Sequence, residues 1–168
     1  MSELSVGSLS GLAANSYVID VASGSQLTQP GMVLQVVQGT STTTTTTTSS
    51  TYEDTNLTAT ITPTSATSKI LIIATGTVGK TNVIGQGVYL RLFRGDTATG
   101  TGLSGDPWVT NEEFVEDTFS RVPATLMYLD SPATTSATTY TVGIKITGGG
   151  ITGQFRYSQH MVLMEIAG

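Results

Sequence analysis

The sequence predicts an all-β fold: an antiparallel β-sandwich of jelly-roll type carrying an extended N-terminal arm. Three observations support this. Apolar residues alternate with polar ones in several short runs, as at Tyr140, Val142, Ile144 and Ile146, so that one strand face meets a core and the other meets water. The runs are bounded by Gly, Pro and Asp, the residues that turn or end a strand. No stretch makes a convincing helix. About eight short strands at regular spacing indicate a sandwich of jelly-roll or immunoglobulin type, and the lack of an internal repeat argues against a propeller.

Composition narrows the classes of function. The 168 residues suffice for one domain with a real core, but only 11% are charged. Thr, Ser and Gly fill the gap, so uncharged polar groups must provide most of the wet surface. With 7 Lys+Arg against 12 Asp+Glu the net charge is -5, which disfavours nucleic acid as a partner. No apolar run is long enough to predict a membrane span. The first twenty residues lack the basic and apolar regions of a signal peptide. With no cysteine, disulfides and thiolate metal sites are excluded, and the chain can mature in a reducing cytosol.

In chain order, residues 1–30 form the arm and residues 31–168 the sandwich. The arm cannot build a core of its own. Its one strand-like piece is SYVIDV, in which Tyr17, Val18, Ile19 and Val21 are the expected attachment residues. Pro30-Gly31 marks a turn and MVLQVV a strand. Seven threonines run in succession from Thr42 to Thr48. Their β-branched side chains suit an exposed edge strand or a long loop better than a solvated linker. Leu57, Ala59 and Ile61 define a half-buried strand ending at Pro63. Lys69 to Thr77 is apolar at both phases of the alternation, which predicts the most central strand. Val88, Leu90 and Leu92 form another, closed by Arg94-Gly95-Asp96. Thr97 to Pro107 reads as a loop. Trp108 to Val122 holds the acidic cluster Glu112, Glu113, Glu116 and Asp117, on a helical turn or a long loop. Ala124 to Ile146 reads as two antiparallel strands of one sheet joined through Asp130-Ser131-Pro132. After a Gly148–Gly150 turn, Gln154–Tyr157 and Met161–Ile166 supply the last strands.

Few residues suggest chemistry. Ala74 to Thr81, ATGTVGKT, fits a permissive phosphate-loop pattern, but turn and strand formers follow Lys80 where a helix is required. A turn after a strand is the better reading. Arg94-Gly95-Asp96 is turn chemistry before it is an adhesive tripeptide, and Asn56-Leu57-Thr58 is a sequon expected by chance in so Thr-rich a chain. His160 is the only histidine. It can complete neither a zinc site of several imidazoles nor a triad without a nucleophile elbow, so it is expected at a surface or interface. The acidic cluster fits no EF-hand spacing. Trp108, with Tyr52, Tyr89 or Phe114, is able to stack a sugar, though a core or interface anchor is the plainer role. No catalytic residue, metal or cofactor is expected.

Several pieces in order resemble a family of small structural proteins of tailed bacteriophages, notably those of marine and cyanobacterial hosts. They are GMVLQVVQ (Gly31 to Gln38), TATITPTSATSKILI (Thr58 to Ile72), YLRLFRGD (Tyr89 to Asp96), YLDSPATTSATTYTVGIKI (Tyr128 to Ile146) and MVLMEI (Met161 to Ile166). The resemblance implies a non-enzymatic jelly-roll virion protein, made in the host cytoplasm and carried on the particle surface. It implies a homotrimer fixed through its N-terminal segment to the major capsid protein or another virion protein, as head decoration or head fibre. The alternative it leaves open is a short tail fibre that binds a host-surface receptor or glycan.

Overall fold

A computed structural model describes residues 29–81, 86–103, 119–148 and 150–168. The expected arm segment, including Tyr17, Val18, Ile19 and Val21, lies outside the described residues, as do Trp108, Phe114 and the acidic cluster. Nine strands are described: β1 (Val33–Ser41), β2 (Thr45–Thr47), β3 (Glu53–Ile61), β4 (Lys69–Thr81), β5 (Val88–Arg94), β6 (Thr101–Gly102), β7 (Phe119–Asp130), β8 (Thr138–Ile146) and β9 (Gly153–Ile166). No helix occurs among the described residues.

The strands form two antiparallel sheets. Sheet A has the order β1-β9-β4-β7, with β2 also on β9, and sheet B the order β3-β8-β5-β6. Set β2 aside and the first strand pairs with the last, β1 with β9. Moving inward along the chain, β3 pairs with β8, β4 with β7 and β5 with β6. A ribbon of four nested antiparallel pairs, closed on itself by β4·β9 and β5·β8, is a jelly roll. The expected fold class is therefore observed, and the immunoglobulin alternative falls on strand order.

Alternation builds the core. Leu57 and Ile61 of β3, Leu90 and Leu92 of β5, and Tyr140, Val142 and Ile144 of β8 are buried from sheet B. Ile70, Ile72 and Ala74 of β4, Leu126 of β7, and Met161 and Leu163 of β9 meet them from sheet A. β4 lies inside its sheet between β9 and β7, as its apolar run predicts.

Four expectations need correction. Ala124 to Ile146 is not a hairpin within one sheet: β7 belongs to sheet A and β8 to sheet B. Each strand has an apolar face, but the two faces point at each other across the core. The link between them turns at buried Pro132 and at Ala133, whose φ is 53°. The last two expected strands are one, β9, with an irregularity where Thr75 and Thr77 of β4 face His160 and Arg156. Tyr157 takes up the extra residues at φ 62°. On β4 the residue between Thr75 and Thr77 is Gly76, where a Cβ would lie 2.5 Å from the Phe155 ring. The ATGTVGKT segment is strand β4 through Thr81, rather than a turn after it. His160 sits within β9, not between strands.

The poly-Thr run is edge strand with a break. β1 ends at Ser41, and Thr45–Thr47 rejoin β9 opposite Phe155, Gln154 and Gly153. Gln159, fully buried, donates from Nε2 to the Thr43 carbonyl at 2.7 Å and anchors the break.

Candidate functional surfaces

The inward residues of sheet A leave the opposite phase facing out, and there the sequence stays apolar. Leu71 and Ile73 of β4, Val162 and Met164 of β9, Met127 and Leu129 of β7, and Val36 of β1 are all exposed or half-buried. Strand register sets them in rows across the sheet. Val36, Met164, Leu71 and Leu129 form one, and Gln38, Val162, Ile73 and Met127 the next. Ile166 continues the patch. A bulge between Val33 and Gln35 turns Val33 to the outer face beside Ile166. Met127 is 68% exposed, Val36 58% and Leu129 49%. Isolated exposed apolar side chains are ordinary, whereas a contiguous patch marks an interaction surface. The patch ends at a polar row of Thr40, His160, Thr75 and Thr125.

A buried carboxylate braces the sheet at the patch end. Glu165 points inward from β9. Its Oε1 accepts from the Thr64 N–H and hydroxyl, both at 2.7 Å, and its Oε2 from Gln35 Nε2 at 2.6 Å. Burial opposes its ionisation, but the hydrogen bonds from Gln35 and Thr64 outweigh it and hold the carboxyl below the usual glutamate range. The β3–β4 loop and β1 are thereby tied to β9.

The residues singled out from sequence have structural roles. Lys80 is buried in β4 and donates to the Gln86 carbonyl. Arg94 pairs with buried Asp130, Nε to Oδ2 at 3.1 Å. Gly95 turns at φ 93°, and Asp96 accepts from the Ala98 and Thr99 N–H groups in the loop that follows. His160 is exposed, with Nδ1 3.4 Å from Gln38 Nε2. Among the described residues no three His, Cys, Asp or Glu side chains are grouped to hold a metal ion. No helix among them is long and apolar enough to cross a membrane. Tyr52 and Tyr89, considered above as sugar platforms, do come together: they flank Lys145 on the outer face of sheet B, at 4.6 and 5.1 Å from ring centroid to ammonium.

Sequence reasoning missed the outward apolar patch. The signal is present in KILII, apolar at both phases as a central strand requires, but one of its faces is packed and the other open.

No family model matches the chain, and no curated protein sequence matches it. Among solved structures, the infectious bursal disease virus VP2 subviral particle is similar at a TM-score of 0.38 and 16% identity, over 79% of this chain and 37% of that one. A structure of infectious bursal disease virus, Gx strain, is similar at 0.34 and 15%, over 79% and 38%. The chain thus spans well under half the length of the viral chains it matches. Its assignment as a jelly roll rests on strand order alone.

Proposed function

We propose that this protein is a non-enzymatic structural subunit of a tailed-bacteriophage particle. Copies associate through the outer face of sheet A, as a homotrimer decorating the head, and the segment around Tyr17, Val18, Ile19 and Val21 attaches it to the major capsid protein or another virion protein. The observation that carries this reading is the apolar patch of Val36, Leu71, Ile73, Met127, Leu129, Val162 and Met164. A second copy is its fitting occupant. In a closed ring each copy's patch can be covered by its neighbours about the axis, and the patch lies on a broad sheet face rather than in a groove. The three-fold number and the phage setting come from the sequence resemblance. A surface otherwise covered in hydroxyls keeps the assembled particle soluble with few charges.

The alternative, a short tail fibre that meets a host-surface glycan, is favoured by one feature, the cluster of Tyr52, Tyr89 and Lys145 on sheet B. Quantitative mass spectrometry of purified particles separates the two. Copies in proportion to the shell subunits support decoration. Copies in proportion to the few fibres of a tail support the alternative. Absence from the particle contradicts both.

A further inference from the structure

One end of the sandwich is uncharged and rigid. The Gly31 N–H donates to the Ala167 carbonyl and the Ala167 N–H to that of Met32, both at 2.8 Å, which ties the start of β1 to the end of β9. Ladder register brings two links to the same end. The β3–β4 link delivers Lys69 opposite Ile166, and the β7–β8 link leaves from Asp130, opposite Ile70. Neither Thr62–Ser68 nor Ser131–Ala137 holds a charged residue. Lys69 and the Arg94–Asp96 turn border them, while Glu165 and Asp130 behind them are buried. Hydrogen bonds fix both links. Gln35 Nε2 donates to the Thr62 carbonyl at 2.7 Å, and Glu165 holds Thr64. The Ser68 N–H donates to the Ser65 carbonyl at 3.2 Å, and the Ser136 N–H to the Thr134 hydroxyl at 3.0 Å. Thr64, Ala66, Ala133 and Thr135 stand exposed on them.

Ala133 is out of keeping with stability alone. Its φ of 53° lies in the left-handed region that glycine enters freely and that crowds a Cβ. It is exposed and outside the core, so burial does not offset the strain. Strain of this kind collects at functional sites. The place is also where the attachment segment joins. Val21 stands eight residues before Gln29, at most about 28 Å of extended chain. The other end of sheet A, at Ser41 and Thr81, lies a strand's length away, about 40 Å and beyond that reach. Resting on the attachment proposed above, we propose that this end, through Thr64, Ala66, Ala133 and Thr135, makes a second contact with the virion protein that the N-terminal segment holds. The partner surface it fits is neutral, met by methyl packing and hydroxyl hydrogen bonds rather than by ion pairs. A preformed contact beside a tether gains from the high local concentration that the tether imposes. The opposite end, with Thr42 to Thr44, faces away from the particle.

The test is co-sedimentation of the full-length protein with particles of a phage from which its gene is deleted. Wild type is expected to bind, with little change as salt is raised. Ala133→Gly should bind about fourfold more weakly, the worth of one methyl group. Its Tm should nonetheless equal or exceed that of wild type, because glycine relieves the backbone. Thr135→Arg sets a charge against the neutral surface and should weaken binding on the order of tenfold. Thr44→Arg, at the opposite end, should bind as wild type does. Unimpaired binding by Ala133→Gly and Thr135→Arg, an equal loss in Thr44→Arg, or binding abolished by salt would each overturn this contact and leave the attachment segment standing. A wild type that does not bind the particles overturns the attachment as well.

Discussion

The Tyr140 hydroxyl donates a 2.7 Å hydrogen bond to Oδ2 of Asp130, joining β8 of one sheet to the end of β7 in the other. Both side chains are buried, at 0% and 4% exposure, and Arg94 neutralises the carboxylate from the end of β5. Three residues from three strands thus fasten the sandwich where the chain crosses between sheets. Because Arg94 is a third exposed, its ion pair is partly screened and contributes less than the buried phenol contact.

Tyr140→Phe is expected to lower stability by about 1–3 kcal/mol, the cost of taking a donor from a buried carboxylate. Burial first, and then the hydrogen bond to Asp130, raise the phenol's pKa far above its ordinary 10.0. A raised pKa gives stability that is complete below the ordinary value and lost as pH climbs beyond it. Urea denaturation should therefore show wild type losing stability above pH 10.0, with a smaller loss in Tyr140→Phe. Equal slopes in the two proteins would remove this role from Tyr140.

Glu165 works at the other end of the pH scale. Its carboxyl is held below the ordinary 4.5, so its contribution is present above that value and lost as pH falls through the native pKa. Thermal melts of wild type should show a declining Tm below pH 4.5. Glu165→Gln should cost about 1–3 kcal/mol at neutral pH and flatten that acid decline.

Gly76 tests the packing of the irregular part of β9. Gly76→Ala drives a methyl into the Phe155 ring and toward Gln159, and an overpacked core costs about 1–3 kcal/mol. Gly76→Ala with Phe155→Leu should recover part of the loss in urea titration, because the smaller side chain vacates the clash.

Much of this architecture was legible in the residues. Alternation at Leu57, Ala59 and Ile61, at Val88, Leu90 and Leu92, and from Tyr140 to Ile146 correctly gave the buried faces. Alternation fixes which side chains face a core, however, and not which strand lies alongside. That is why the residues of β7 and β8 fit a hairpin in sequence, although the two strands face each other across the core. The same limit hid the outer apolar face of sheet A. Leu71 and Ile73 look like core residues in sequence, and only the sheet order, with nothing described over their outer face, separates them from Ile70 and Ile72. The cluster on sheet B was half visible: Tyr52 and Tyr89 were noted, but Lys145 enters only through its ladder pairing with Tyr89.

The central claim is that the outer face of sheet A is where copies of this protein meet. Sedimentation equilibrium of the purified chain, beside Met127→Glu/Leu129→Glu, tests it most directly. The account predicts a wild-type mass three times the 17.5 kDa of one chain, and a folded variant at the mass of one. A wild-type protein that sediments as a single chain, or a variant that assembles as wild type does, would contradict it.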